Sequence, residues 1–507
     1  MNASNRILIN TLAQYARTII NMVLSLYSSR LVMNILGVDD YGVYSLVAGV
    51  VSMLSFLTNS LVGSTQRFLS VTQGKGNIEK LKEVFSNSLL LHIALGLLVS
   101  SILAALTPFI FGGFLNIPAD RIDVAKRLYL LVILMVYTSF IASPYRALLV
   151  SHENIVYTSF IDILDGVLKV ILVLLLPSSP LDKLLSYGMI MLGIQLFNLL
   201  AFMIYSSVKY DECIFPRIRM FSLAYVKELS VFTGWVVYSS VCVTLKMQGM
   251  AIVLNKVYGA VMNAAYGIGS QISGMISFVS TSFNNAIAPQ LMAAEGGGDR
   301  QKMLALAETQ SKVSFLLLAM IGIPTMFEMQ HLLELWLVVV PEHTALFGCM
   351  FLATQIVDML STGLSLANKA IGNIGRYTVL TYTPKLLVLP LSWLALKLNM
   401  PLIIVALIMF SIEALCMLYR IYLLRNEPWF NAKKYCVSVI LRSLPPLFIS
   451  IITCVLLRIL ISSEWRIIYT FLCSISIFGI AAYKLTLNDQ ERVKVNSIIN
   501  KVLKRIW

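Results

Sequence analysis

The run YGVYSLVAGVVSMLSFLTN, residues 41–59, has a near-copy in YGIGSQISGMISFVSTSFN, residues 266–284. Seven of the nineteen positions are identical without a gap: Tyr41 on Tyr266, Gly42 on Gly267, Ser45 on Ser270, Gly49 on Gly274, Ser52 on Ser277, Ser55 on Ser280 and Asn59 on Asn284. After an offset of three residues, Gly74-Lys75-Gly76-Asn77 falls on Gly296-Gly297-Gly298-Asp299, and Lys80 falls on Lys302. Repetition of both an apolar helix-length run and the polar loop behind it marks two related halves. The copies are the second and eighth apolar segments, six apart in chain order, so both keep one orientation, and the halves should be related by an axis along a membrane normal.

The membrane follows from composition. Of 507 residues, 58% are hydrophobic and only 13% are charged. That is about half the usual quarter of charged residues, too few to cover the surface of water-soluble domains, and it excludes a disordered chain. Apolar runs of spanning length recur near residues 8–36, 41–65, 84–114, 125–149, 154–177, 183–207, 228–254, 259–289, 311–338, 344–368, 376–398, 400–424, 437–460 and 465–485. The first is long and uncleaved in character, which reads as a retained helix and not a signal peptide. The length and continuity of the runs exclude a β-barrel. The expected fold is therefore an all-α polytopic membrane protein of about 14 transmembrane helices, two parallel six-helix repeats plus two C-terminal helices. The expected boundaries are 1–210 and 228–425 for the two bundles, with a cytoplasmic linker at 211–227. Extra helices follow at 437–485 and an amphipathic cytoplasmic tail at 488–507. In that tail Val495, Ile498, Ile499, Val502 and Ile506 alternate with Arg492, Lys494, Lys501, Lys504 and Arg505, a pattern suited to the inner leaflet.

The net charge of +14 is first a topology signal. With the N-terminus inside, outer segments and helix ends hold only Arg121, Lys126, Arg127, Lys183, Lys256, Lys397, Arg458 and Arg466. Five cations, Arg17, Arg30, Lys169, Lys246 and Lys385, lie within spans, and the remaining 26 of the 39 Lys and Arg residues fall on inner segments, Arg67, Arg146, Arg217, Arg219, Lys312 and Arg420 among them. Both termini should be cytoplasmic, and nucleic-acid binding has little left to explain.

Ionised groups in hydrocarbon are costly and normally face a partner or a watery cavity. Lys169 has a ready partner in Asp165 one turn earlier, Arg30 is near a helix end and can snorkel, and Lys385 can reach an interface. Arg17 and Lys246 each lie in the first helix of a half without an acid within one turn, which suits an anionic ligand such as a phosphate or diphosphate. Of the acids within spans, Asp162, Asp358 and Glu413 are candidates for ion coupling, with Asp165 and Glu328 beside them; neutralising a buried cation explains each as well. Asp39 and Asp40 read as capping or solvated residues at an outer turn. The stripe Gly42, Ser45, Gly49, Ser52 and its copy Gly267, Ser270, Gly274, Ser277 read as close helix packing; the roles of Asn59 and Asn284 stay open.

Chemistry beyond binding finds no support. Seven cysteines, none spaced as CxxC, suit packing and not a disulfide framework or zinc site. Four scattered histidines form no metal pair, and there is no Walker A loop. No catalytic residue, metal or cofactor is expected.

The turn Leu36-Gly37-Val38-Asp39-Asp40-Tyr41-Gly42-Val43-Tyr44-Ser45-Leu46, followed by Ser64-Thr65-Gln66-Arg67-Phe68, resembles that of bacterial polysaccharide flippases. These are the O-antigen and capsule exporters of the multidrug/oligosaccharidyl-lipid/polysaccharide exporter superfamily. The resemblance, extended across the chain by the twelve-plus-two helix pattern, implies a V-shaped pair of bundles working by alternating access in the bacterial inner membrane. It also implies a cargo of oligosaccharide linked to undecaprenyl diphosphate, with membrane lipids, a polysaccharide polymerase and chain-length proteins as partners and no nucleic acid. On that reading Arg17 and Lys246 contact the headgroup, and Arg30 is third. A multidrug exporter of the same superfamily is the alternative, and would favour acidic or aromatic groups in its cleft. A membrane enzyme of glycan assembly or a scaffold would be a different class altogether.

Overall fold

The computed structural model describes residues 3–111, 119–214, 216, 220–337, 339–372, 374–425, 427–461, 465–489, 491–493 and 496. They form helices and turns, with no strand among the described residues. The longest helix, α1 (Ala3–Gly74), is broken at Gly37, whose φ of 81° and ψ of 172° leave the helical region. Next come α2 (Ile78–Ala105), α3 (Ile122–Ser151), α4 (Ile155–Leu174) and α5 (Lys183–Lys209). The later half of the chain begins with α6 (Leu223–Tyr258), α7 (Ala260–Gly296), α8 (Arg300–Phe327) and α9 (Met329–Trp336). Then follow α10 (Thr344–Met359), α11 (Thr362–Ile371), α12 (Gly375–Leu386), α13 (Val388–Lys397) and α14 (Ile403–Leu424). The last two are α15 (Ala432–Leu460) and α16 (Arg466–Thr486).

A helix occupies each of the fourteen expected segments, but not all are apolar enough to cross a bilayer. Among the described residues ten helices qualify, or eleven if α10 and α11, bent by 51°, form one span. The segments that fall short have visible causes. The stretch 154–177 carries Asp162, Asp165 and Lys169, whereas 41–65 and 259–289 are interrupted by glycine, serine and asparagine.

Local signals explain many of the ends. Asn77 caps α2 by accepting from the Lys80 N–H at 2.9 Å, and Asp182 caps α5 through the N–H groups of Leu184 and Leu185 at 3.0 and 3.2 Å. Asn431 does the same for α15 at 2.9 Å. Asn488 and Glu491 reciprocate side chain to backbone, both at 2.8 Å, which is a capping box. Most of the expected tail, including Lys494, Ile498, Lys501 and Lys504, lies outside the described residues, as do Arg217 and Arg219.

The helices divide into two compact units. Unit 1 comprises Met1–Ser240, Asn285–Asp299 and Ala370–Gly372; unit 2 comprises Val241–Asn284, Arg300–Lys369 and Asn373–Trp507. In unit 1, Val32, Leu61, Leu128, Tyr129, Phe140 and Tyr187 form the buried core, with the Tyr129 hydroxyl donating to the Leu103 carbonyl at 3.0 Å. Unit 2 has one core around Met250, Leu254, Tyr266, Phe347 and Phe351, and a second around Phe315, Leu318, Ile356 and Phe478. Cys242, Cys416 and Cys454 are buried, and all seven cysteines are free.

The repeat is written into the backbone. Gly76 and Gly298, equivalent positions in the two copies, both adopt positive φ (68° and 77°), and a positive-φ glycine also precedes each run, Gly37 at 81° and Gly259 at 84°, though not at the same distance from it. Only glycine takes this conformation cheaply. Within unit 1 the loop glycines also touch reciprocally: a Cβ on Gly74 would lie 2.0 Å from the Ala293 carbonyl oxygen, and one on Gly296 would lie 1.9 Å from that of Val71. The expected close packing is found there and not along the Gly/Ser stripes. A Cβ on Gly42, Gly49, Gly267 or Gly274 would meet nothing within 4 Å.

Candidate functional site

Two ion clusters lie among the helices, one in each unit. In unit 1, α4 carries Asp162, Asp165 and Lys169 at i, i+3 and i+7, one face of the helix. Arg146 of α3 grips Asp162 with two bonds, Nη1 to Oδ1 at 3.0 Å and Nη2 to Oδ2 at 2.7 Å. Arg17 of α1 donates to the same Oδ2 at 2.8 Å. Asp165 accepts from the Asn198 amide of α5 at 2.6 Å. Lys169 is an electrostatic neighbour of Asp165, as expected, but makes no direct salt bridge with it; the donor that Asp165 accepts from is Asn198. Three cations, Arg17, Arg146 and Lys169, thus face two acids.

In unit 2, α14 carries Glu413 and Arg420 seven residues apart on one face. Lys385 Nζ of α12 sits 2.5 Å from Glu413 Oε1, and Lys246 Nζ of α6 lies 3.8 Å from Oε2. Arg420 pairs with Asp358 of α10 at 2.7 Å and donates to the Ser361 hydroxyl at 3.0 Å. The Arg420 side chain is 3% exposed, and the Asp358 oxygen that it pairs with is buried as well. Among the described residues three cations, Lys246, Lys385 and Arg420, pair with two acids, and a fourth, Lys369, lies close enough to feel the charges of Arg420 and Asp358. An isolated charge could not be held there; paired and hydrogen-bonded it can.

The structure therefore revises several sequence expectations. Arg17 and Lys246 have no acid within one turn of their own helix, but each finds one on another helix. Lys385 does not reach an interface; it is buried against Glu413. Asp162, Asp358 and Glu413 are all counter-ions. Arg30 is exposed on α1, makes no ion pair among the described residues and joins neither cluster. Arg146 and Arg420 were counted as inner-side topology charges, yet both stand inside helices as members of the clusters. Spacing gives no hint of this, since their partners lie on other helices.

Other charges expected to be solvated or topological are also internal. Asp40 is buried and accepts from Arg121, which reaches Asp182 as well at 2.7 Å. Arg67 is buried between the rings of Phe68 and Phe232, 4.6 and 5.0 Å from their centroids, and donates to the Ala370 carbonyl at 2.9 Å. Lys312 pairs with Glu491 at 2.8 Å, and Glu328 accepts from Arg466 Nε and Nη2, both at 3.0 Å. Asn284 accepts from Ser314 at 2.6 Å and Gln310 at 3.1 Å inside unit 2, whereas Asn59 is exposed. In the linker, Glu212 is buried and bonded to His152, whose ring stacks on Tyr210 at 4.0 Å. Burial alone would raise the Glu212 carboxyl, but the bonds from His152 and its own backbone bring it below its usual value.

Comparison with known proteins identifies the family of the chain. Residues 5–294 match the model of the family described as polysaccharide biosynthesis protein. The curated relative "uncharacterized membrane protein EpsK" of Bacillus subtilis (strain 168) is 24% identical over 318 residues, 62% of this chain and 61% of that protein's length. The chain thus spans about three-fifths of the relative it matches. Among solved structures, a mutant of the Vibrio cholerae MATE transporter VcmN superposes with a TM-score of 0.72 at 15% identity, covering 84% of this chain and 98% of that one. A MOP superfamily transporter from Pyrococcus furiosus gives 0.71 at 12% identity, covering 86% and 97%. At such identities the likeness is one of fold. With over half the chain inside the family match, this protein belongs to the polysaccharide biosynthesis protein family and has the all-α fold of the MOP superfamily.

Proposed function

We propose that the chain is a flippase, not an enzyme, which moves an undecaprenyl-diphosphate-linked oligosaccharide from the inner to the outer leaflet of the bacterial cytoplasmic membrane. Both termini are cytoplasmic on this reading, and transport proceeds by alternating access. The observation that carries it is the excess of cations over acids, among the described residues, in the ion cluster of each unit. A diphosphate is the ligand such an excess fits, because it offers several anionic oxygens for charge-assisted hydrogen bonds. Lys246 is held by Glu413 at only 3.8 Å and is the cation most easily surrendered to a headgroup. Arg17 shares Asp162 with Arg146 and can be released without leaving that acid unpaired. A coupling cation would compete with the same lysines and arginines for Asp162, Asp358 or Glu413. Net transport requires that substrate or ion bind the two conformations unequally.

A multidrug exporter for cationic compounds is the competing reading, supported by the likeness of fold to MATE transporters. The surplus of cations over acids in both clusters argues against it. The test is a leaflet-translocation assay in proteoliposomes with a fluorescent undecaprenyl-diphosphate disaccharide, wild type beside Arg17→Ala and Lys246→Ala. Translocation by the wild type and its loss in both variants is expected. A folded wild type that moves a lipophilic cation but no lipid diphosphate would replace the flippase with the exporter.

A further inference from the structure

The end of α6 and the start of α7, both in unit 2, border an open cavity of about 390 Å³ lined by Gln248, Ala251, Ile252, Asn255 and Asn263. That lies at the lower end of the roughly 300–1,000 Å³ typical of small-molecule sites. Gln248, Ala251, Ile252 and Asn255 follow the i, i+3, i+4, i+7 rhythm of one helical face. The chain then turns at Gly259, where φ is 84°, and brings Asn263 of α7 to the same cavity. Gln248 and Asn255 are exposed and Asn263 is half-buried. None of the three amides has a side-chain hydrogen bond among the described residues.

Gln248 stands ten residues before the end of a membrane-length helix, so about 15 Å along its axis at 1.5 Å per residue. Exposed, unsatisfied amides on such a face are costly against lipid and are stable only against water or a polar ligand. No charged side chain lines the cavity, so it suits neither a phosphate nor an organic cation. Each carboxamide offers two donors and one acceptor, which matches vicinal hydroxyl groups that both give and take hydrogen bonds. Ala251 and Ile252 between them provide an apolar floor for the C–H face of a sugar ring.

We propose that Gln248, Asn255 and Asn263 form a subsite for the uncharged sugar residues of the cargo, separate from the cationic clusters that take its diphosphate. This rests on the lipid-diphosphate reading above and adds to it what recognises the glycan. The experiment measures binding to purified protein in nanodiscs of two probes: undecaprenyl diphosphate without sugar, and the same lipid bearing a neutral disaccharide of hexose and N-acetylhexosamine. Wild type should bind the glycosylated lipid about tenfold more tightly, the worth of one or two net hydrogen bonds. The triple variant Gln248→Leu/Asn255→Leu/Asn263→Leu should lose that preference and keep its affinity for the bare lipid, which also reports that it is folded. A preference that survives in the variant, or is absent from wild type, overturns the subsite and leaves the flippase reading standing. Equal loss of both probes in the variant also overturns the subsite. Wild type that binds neither probe overturns the lipid-diphosphate reading and the subsite with it.

Discussion

If the excess cation is what attracts the headgroup, the charge balance of the unit 1 cluster should control affinity more than the identity of any one arginine. Arg17→Ala leaves Arg146 alone with Asp162, through the two bonds at 3.0 and 2.7 Å, and leaves Lys169 opposite Asp165. The cluster becomes neutral. Loss of a charge-assisted contact costs about 1.5–3 kcal/mol, or roughly ten- to a hundred-fold in Kd for undecaprenyl diphosphate. The fold should survive, since the Arg17 and Asp162 side chains are 25% and 18% exposed and Asp162 keeps a bidentate partner. Because no acid is left unpaired, a stability loss of about 1–2 kcal/mol is expected. The informative variant is Arg17→Ala/Asp162→Asn, in which Arg146 is released from its acid and the surplus positive charge returns. Binding to nanodisc-embedded protein, with thermal unfolding as the folding control, should show the double variant recovering at least tenfold of the lost affinity. Binding is the right readout because Asp162 is also a candidate for ion coupling, which a transport rate would confound. A double variant that unfolds like wild type yet binds no better than Arg17→Ala would refute the charge-balance argument.

Four further outcomes follow from the geometry. Gly296→Ala and Gly74→Ala should each lower thermal stability by about 2 kcal/mol or more, because their Cβ atoms would lie 1.9 and 2.0 Å from a backbone carbonyl that cannot step aside. Gly42→Ala and Gly267→Ala, with open space at Cβ, should unfold within about 0.5 kcal/mol of wild type or be slightly more stable. Gly372→Ala combines a φ of 101° with a Cβ 2.1 Å from the Arg67 guanidinium, so a loss of roughly 2–4 kcal/mol is expected; the effect of Arg67→Ala should be less than additive with it in a thermal double-mutant cycle. Glu212 lies below its usual 4.5, so its bond to His152 stabilises the linker at neutral pH and is lost as pH falls below about 4.5. Amide exchange at Cys213 and Ile214 should rise there in wild type, and Glu212→Gln should remove that pH dependence.

How much of this was readable from sequence depends on whether a signal is local. The repeat was legible because it is carried by backbone requirements. Gly76 and Gly298 hold matching positive-φ positions that other residues would strain, so the loop behind each copy keeps its glycine at the same place. Helix placement was legible for the same reason, since apolar runs and caps such as Asp182 act on their own neighbours. Charge partners were not legible. Arg146 is sixteen residues from Asp162, and Arg420 is sixty-two from Asp358; only the packing of α3 on α4 and of α10 on α14 brings them together. A rule that assigns cations near helix ends to the inner surface will therefore absorb these residues, as it absorbed Arg67, which lies between two rings and not in water. The intramembrane acids gave the better clue. A span with Asp162, Asp165 and Lys169, or one with Glu413 and Arg420, cannot lie in hydrocarbon unless matched charges come from its neighbours. Counting acids first and then asking which cations neutralise them would have reached Arg146 and Arg420 as candidates. What that count could not supply is the remainder of cations over acids in each unit, because it exists only once the partners on neighbouring helices have been placed.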